Sequence, residues 1–405
     1  MKFLKTVSLD QAVNLLNQHC TLPRENEMVK LEDSLGRCLF ADLLASEDIP
    51  YYNRSTVDGY AVVSLTTQGA SESIPVVLKS LGSIPIGTMT TTQVTPEATL
   101  YVPTGGMVPQ GADAMVMIED TRVLDDLVLI QKSVPPGSNL VLQGEDVAQG
   151  QLVLPKGHCL KSQDIAALAS LNQLQVPVLK RPNVIIISTG DEFASPQEEL
   201  TDGKIRDINS HSLAALCRET GLNPVGTTLV RDDLEEIRSA IRQGLDQADL
   251  VLLSGGSSAG ERDYTKQAIL DLGGDILFHG IRIKPGKPTI GASIQGKAVI
   301  GLPGHPVSAM MLFKTLVTDF FREQTRSQVP RVMVKARTRV NFPSQPGRLT
   351  CQFLTLSEQD GELFCQPYYS NSALVSQLTQ AQGFTLIPEE AEGLDAGTVV
   401  DVILL

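Results

Sequence analysis

The chain has no tryptophan, and aromatic residues make up only 4% of its 405 positions, so any cores it builds are aliphatic. Its six cysteines, at 20, 38, 159, 217, 351 and 365, form no CxxC and no close pair. That scatter argues against thiolate metal ligands and disulfide staples, and for small buried thiols in a reducing compartment. No stretch approaches the roughly 18 apolar residues of a membrane-spanning helix. The N-terminus, MKFLKTVSLDQAVNLLNQ, meets Asp10 before any long apolar core, unlike a secretory signal. Positive charge is in deficit: 33 Lys and Arg against 46 Asp and Glu leave a net charge of -13. This balance argues against a diffuse basic face for nucleic acid, but not against one local anion site. A soluble cytoplasmic protein is expected, with no nucleic-acid partner and no membrane span.

Several catalytic signatures are also missing. The five histidines, at 19, 158, 211, 279 and 305, show no metal spacing. No HExxH, nucleophile elbow or Ser-His-Asp ordering occurs, which argues against zinc hydrolysis and serine-type acyl transfer. Neither a GxxxxGK[ST] nor a GxGxxG phosphate loop is present.

Apolar residues, at 42%, are sufficient for real cores, and at about 150 residues per domain the length corresponds to two to four compact units. Residues 8 to 19 read as a helix with Ser8 as its cap, and LEDSLGRCLFADLLA, 31 to 45, as a second helix ending before Pro50. From 51 to 140 short apolar runs at 76–78, 100–102, 114–118 and 127–130 alternate with Gly and Pro turns, the pattern of a small β unit. A turn-rich stretch follows, with a helix expected from about Ser162. From Pro182 onward, apolar strands at 184–187, 225–230, 250–253 and 297–302 alternate with helices at 210–220, 233–247, 265–272 and 307–320. This is the pattern of a parallel sheet covered on both faces, whose ligand site lies beyond the carboxyl ends of the strands. After Arg326 the period drops to two, which predicts a terminal β domain, a small barrel or sandwich.

Four loops sit at the predicted strand ends: ISTGDE, LVRDD, LLSGGSSAGERDYTK and GLPGHP. In the third, Gly255, Gly256 and Gly260 permit close backbone approach, and Ser254, Ser257 and Ser258 add donors that suit an anionic group; a plain flexible turn is the competing reading. Arg282, Lys284 and Lys287 in GIRIKPGKP concentrate positive charge on a proline-stiffened segment, either a solvated face or an oxyanion site. Glu192, Asp207, Asp232 and Asp263 flank these loops and would repel an anion unless a divalent ion intervened; oxygen donors of this kind suit Mg²⁺. Asp232 and Asp263 read equally well as helix caps. Asp58, Thr104 and Asp146 lie in glycine turns far away in sequence.

Taken in order, NRSTVDGYAV, PTGGMVPQGADAMVMIED, GEDV, ISTGDE, SGGSSAGERDYTK, KPGKP and GLPGHPVSA, spanning 53 to 309, resemble the MoeA-type molybdopterin molybdenumtransferase family, related to the plant molybdenum-insertion domain and the gephyrin E-domain. The resemblance implies a multidomain α/β and β protein: 1–49 plus 141–179 as a split linker domain, 50–140 as an inserted β domain, 180–328 as the α/β molybdopterin-binding domain and 329–405 as a β-barrel. It implies insertion of molybdate into adenylylated molybdopterin with release of AMP and Mg²⁺ assistance. The implied catalytic residues are Asp58, Thr104, Asp146, Glu192, Asp232, Asp263, Lys284 and Lys287, with Glu192 and Asp232 toward the metal. The implied binding residues are Thr189, Gly190, Ser254, Gly255, Gly256, Ser257, Ser258 and Gly260, with Pro303, His305, Pro306 and Ser308 in the last loop and Arg348 reaching the cleft. A homodimer is implied, its cleft built from the α/β domain of one chain and the inserted β domain of the other, with the molybdopterin adenylyltransferase and apo-molybdoenzymes as further partners. Two residues depart from the family pattern: His305 where Asn is usual, and Ser257 where Val is common. The rival readings are an adenylyltransferase, which needs only the central module, and a non-catalytic scaffold.

Overall fold

Ser8 starts the first helix, Leu9–His19, with a reciprocal cap: its hydroxyl accepts from Gln11 N (3.2 Å) and the Gln11 side chain accepts from Ser8 N (3.0 Å). The helix buries Leu9, Ala12, Val13 and Leu16 in one core with Val184, Ile186, Leu250 and Leu252 of the central sheet. The computed structural model describes residues 6–194, 197, 199–255, 263–325, 331–368 and 375–405, with side chains from 378 onward in the last segment.

The central sheet runs in the order Asn223–Val230, Asn183–Thr189, Leu250–Ser254, Lys297–Leu302, Ile290–Ile294, Asp275–His279. The first four strands are parallel, as their continuous apolar runs predict. Ile290–Ile294 runs antiparallel to both of its neighbours, Lys297–Leu302 and Asp275–His279, so the sheet is mixed, which corrects the expectation of a purely parallel one. The cause is a two-residue turn between Ile294 and Lys297: Gln295 (φ 53°) and Gly296 (φ 79°) both take the left-handed conformation that folds a tight hairpin. On one face the core holds Leu213, Leu216 and Cys217 of helix Asn209–Thr220, with Leu312, Leu316 and Phe320. Those last three belong to a helical run of Pro306–Leu312, a π-helical turn Phe313–Val317, and Thr318–Thr325. On the other face, Ile237, Ala240 and Ile241 of Leu234–Gln247 and Ala268 and Ile269 of Tyr264–Asp271 form a second core.

Residues 31 to 45 are not a helix. A short 3-10 turn, Leu31–Asp33, is followed by the strand Leu43–Leu44. The backbone amides of this segment find partners far away in sequence, Gly36 N on Leu160 O (2.8 Å) and Leu39 N on His158 O (2.9 Å), and Gly36 has a positive φ of 71°. Long-range pairing therefore overrides the helical spacing of its leucines. The same pairing places Cys38 opposite Cys159 in an antiparallel bridge, with Cα atoms 4.0 Å apart and a disulfide between them across 121 residues of sequence. This corrects the reading of all six cysteines as isolated thiols. Cys20, Cys217, Cys351 and Cys365 are free and buried, as expected. Strand Asn26–Lys30 pairs with Gln175–Leu179 in the same way.

Between these two pieces lies a six-stranded sheet that includes Gly59–Val62, Val76–Ser83, Ala98–Val102 and Ala114–Met117. At the C-terminal end, Leu349–Gln359 pairs with both Glu362–Pro367 and Gly383–Ile387. Met333–Thr338 and Val399–Leu404 complete the ring, which is a closed five-stranded barrel. The two-residue strand Ile283–Lys284 joins the barrel rim, parallel to Leu349–Thr350. Among the described residues no helix is long and apolar enough to cross a membrane.

Leu252 is fully buried on a central strand. Leu252→Ala is expected to cost about 3 kcal/mol. The check is the urea midpoint of the central-sheet transition, and an unchanged midpoint would contradict the packing described.

Candidate functional site

The parallel strands end on one side of the sheet, where backbone groups are free to meet a ligand. After Asn183–Thr189 the chain turns through Gly190, whose N–H donates to Val230 O on the neighbouring strand (3.2 Å). A Cβ at Gly190 would fall 2.6 Å from a carboxylate oxygen of Glu192, so the Glu192 side chain folds back over the Gly190 backbone. Asp191 Oδ1 accepts from Asp232 N (3.3 Å), and its carbonyl accepts from Lys204 Nζ (2.6 Å). One edge thus carries three carboxylates, Asp191, Glu192 and Asp232.

The turn after Leu250–Ser254 packs still closer. Gly255 has φ 96°, and a Cβ there would lie 2.2 Å from Thr189 O. A Cβ on Gly304 would contact Gly255 Cα at 3.5 Å, so the glycine turn and the GLPGHP turn touch. Pro306 opens the following helix at a position where a missing N–H costs nothing.

The KPGKP segment closes the opposite edge. Thr289 Oγ1 donates to Gly286 O (2.7 Å) and Ile281 N to Lys287 O (3.0 Å), which hold the loop against the sheet. Lys284 and Lys287 are exposed. Since Ile283 pairs with Leu349, Arg348 of the barrel is carried to the same edge, and Arg282 bonds Glu389 across the seam (3.0 Å).

Together these turns line a cleft of about 640 Å³. Thr189, Gly190, Glu192, Asp232, Gly255, Lys284, Lys287, Pro303, His305, Ser308 and Arg348, all expected from the sequence, face it, and so do Asp191 and Gly304. Nothing in the sequence distinguishes Asp191 from Glu192 beside it, and the role of Gly304 is a contact with Gly255 that only the fold creates. Three cationic side chains, Lys284, Lys287 and Arg348, share the cleft with the three carboxylates. The cleft can therefore hold an anion on one edge and keep carboxylate oxygens within the same volume.

Other expected residues lie elsewhere. Gly256, Ser257, Ser258 and Gly260 lie outside the described residues. Ser254 is buried, its hydroxyl accepting from Asn209 Nδ2 (2.6 Å). Asp263 realises the helix-cap reading: Oδ1 accepts from Lys266 N (3.1 Å), and Oδ2 stands 3.3 Å from His279 Nε2. Burial pulls the His279 imidazole below its ordinary pKa, against the opposing pull of Asp263. For Asp232 the cap reading fails, because Asp233 caps Leu234–Gln247 through Glu235 N and Glu236 N. Asp58 Oδ1 accepts from both Thr104 N (2.8 Å) and Thr104 Oγ1 (3.2 Å), so the two form one unit on the six-stranded sheet. Asp146 N donates to Ile49 O (3.0 Å). None of Asp58, Thr104 and Asp146 lines the cleft of its own chain. Asp207 accepts from Ser188 Oγ and Ser210 N, both at 3.1 Å. Among the described residues no three His, Cys, Asp or Glu side chains lie close enough together to hold a metal unaided.

Comparison with known proteins gives consistent matches along the chain. Residues 7–172 match the MoeA N-terminal region (domain I and II), 185–323 a probable molybdopterin binding domain, and 335–405 the MoeA C-terminal region (domain IV). A putative molybdopterin biosynthesis protein of Methanocaldococcus jannaschii is 34% identical over 393 residues, covering 94% of this chain and 93% of that protein. The molybdopterin molybdenumtransferase of Bacillus subtilis is 30% identical, covering 98% and 94%. The crystal structure of a molybdopterin biosynthesis MoeA protein from Pyrococcus horikoshii superposes with a TM-score of 0.86 at 31% identity, covering 99% and 100%.

Gly255→Ala is expected to lower stability by about 1–3 kcal/mol, since alanine is strained at positive φ and Thr189 O obstructs its methyl. Gly304→Ala, whose methyl meets only ordinary contact, is expected to have a much smaller effect. Paired denaturation curves check this, and equal shifts would contradict the close approach.

Proposed function

The chain belongs to the MoeA family of molybdopterin biosynthesis proteins, and from that premise we propose that it is a molybdopterin molybdenumtransferase, inserting molybdate into adenylylated molybdopterin with release of AMP. The observation that carries this reading is the single cleft in which Lys284, Lys287 and Arg348 face Asp191, Glu192 and Asp232 beside the Gly255 turn. The relatives named molybdopterin molybdenumtransferase support it, as they match nearly the whole chain.

Each side chain then has a physical task. Lys284 and Lys287 neutralise the molybdate dianion as it approaches the pterin dithiolene, and Arg348 adds a planar donor fork suited to phosphate or oxyanion. The backbone at Gly255 and Gly190 leaves room for a ligand to lie against the strand ends. Pro303, His305 and Ser308 shape the wall toward the pterin; His305 replaces an amide by a larger, titratable donor. The protein supplies charge neutralisation and positioning, while the dithiolene supplies the sulfur chemistry.

Mg²⁺ belongs to the same proposal. The described donors fit an ion that takes one or two carboxylates and completes its shell with water and substrate phosphate, not one caged by protein alone. Glu192 and Asp232 would hold it. When bound, it would offset phosphate charge beside the carboxylate edge and so strengthen the grip on the nucleotide-capped pterin.

The homodimer is proposed on the position of Asp58 and Thr104, a hydrogen-bonded pair that does not reach its own chain's cleft. A partner chain would present the pair to the cleft from outside. Cytoplasmic location, delivery of substrate by the adenylyltransferase and hand-over to apo-molybdoenzymes complete the proposal.

Purified protein given adenylylated molybdopterin, molybdate and Mg²⁺ is expected to release AMP and form active cofactor. Synthesis of adenylylated molybdopterin from ATP would instead point to an adenylyltransferase. Glu192→Ala is expected to cut turnover at least about a hundredfold with the melting temperature nearly unchanged. Full activity would remove Glu192 from the reaction. Mixing Asp58→Ala with Glu192→Ala subunits is expected to restore about a quarter of wild-type activity, because half the exchanged dimers carry one intact cleft of two. No recovery would refute the shared cleft.

A further inference from the structure

Three strand ends in the central sheet line up in register: Ser188 pairs with Ser254, and Ser254 with Leu302. One short segment, Asp207 to Asn209, crosses this row. Asp207 takes the hydroxyl of Ser188 (3.1 Å). Asn209, the first residue of helix Asn209–Thr220, donates through Nδ2 to Ser254 Oγ (2.6 Å) and to Gly304 O (2.8 Å). Asn209 is 4% exposed, and its Oδ1 is buried with no hydrogen-bond partner among the described residues.

The orientation of this amide is dictated by its surroundings. Gly304 O can only accept, so the amide must turn its NH₂ toward it, which leaves Oδ1 without a donor among the described residues. An unpaired buried acceptor is costly, and a core chosen for stability alone would place an apolar residue here. What the amide achieves is a fixed spacing between two turns. Ser254 immediately precedes Gly255 and Gly304 precedes His305, and both Gly255 and His305 line the cleft.

We propose that Asn209 is a positioning residue for the cleft: its amide clamps the Gly255 turn to the Gly304-His305 turn and thereby sets the width of the pocket that receives the anionic part of the ligand. It does not line the cleft itself and acts only through these two turns. The kinetic part of the test rests on the molybdenumtransferase reading; the structural part does not.

The test uses the full-length protein with Asn209→Ala, which removes the amide, and Asn209→Asp, which keeps the shape but replaces the donor by an acceptor that repels Gly304 O. Hydrogen–deuterium exchange is expected to rise about tenfold, the size of one lost buried hydrogen bond, in peptides containing Ser254-Gly255 and Gly304-His305. Peptides from helix Leu234–Gln247, on the other face, are expected to stay as in the wild type. KM for adenylylated molybdopterin is expected to rise about tenfold in both variants, with kcat changed less. If Asn209→Ala fails to fold, Asn209→Asp alone decides. Unchanged exchange in both turns, or a rise spread evenly over the sheet, would overturn the clamp. Localised opening with an unchanged KM would overturn its link to ligand binding. Localised opening in a protein whose wild type releases no AMP would refute the molybdenumtransferase reading and leave the clamp standing.

Discussion

The cleft depends on how closely backbone approaches backbone where the parallel strands end. At Gly255 the chain passes so near the carbonyl of Thr189 that a methyl group would fall 2.2 Å from it, and the same turn rests against Gly304. Two strand ends and the turn before a helix are thus drawn together without intervening side chains. Close approach of this kind leaves the strand ends with little side-chain cover, so that a ligand can come near the backbone there. The Asn209 amide adds a polar bond to the same contact from beneath.

The second constraint is electrostatic. An acidic chain has assembled three cations on one edge of a cleft whose other edge is three carboxylates. The carboxylate edge comes from the central α/β unit alone, but the cationic edge is made by two units. Lys284 and Lys287 are held by a loop whose first residues pair with a strand of the C-terminal barrel, and that pairing brings Arg348 alongside. The barrel is therefore part of the cleft wall, and the position of the cations depends on a seam between two structural units.

Reading the residues in order recovered most elements. The four parallel strands of the central sheet, its helices, and the barrel strands follow from apolar runs and alternation, because those patterns report burial directly. The failures have two causes. The leucines between 31 and 45 are spaced as in a helix, but their backbone pairs with residues near 160, and the same long-range pairing joins Cys38 to Cys159. The one reversed strand of the central sheet, Ile290–Ile294, escapes the pattern because the Gln295-Gly296 turn is a weaker hairpin signal than Asn-Gly. In each case the deciding partner was too distant, or the local signal too faint, for periodicity to register it.

By itself, the sequence determined which segments are buried, where the glycine turns fall, and that lysines and carboxylates follow strand ends, since these depend on local conformation and hydrophobicity. Only the tertiary structure decided that Glu192, Asp232, Lys284, Lys287 and Arg348 share one volume while Asp263 turns away to cap a helix, and that Asp232 leaves capping to Asp233. The physical reason is that a charge acquires its role from what stands within a few ångströms of it, and those neighbours come from strands, loops and a barrel that are far apart along the chain.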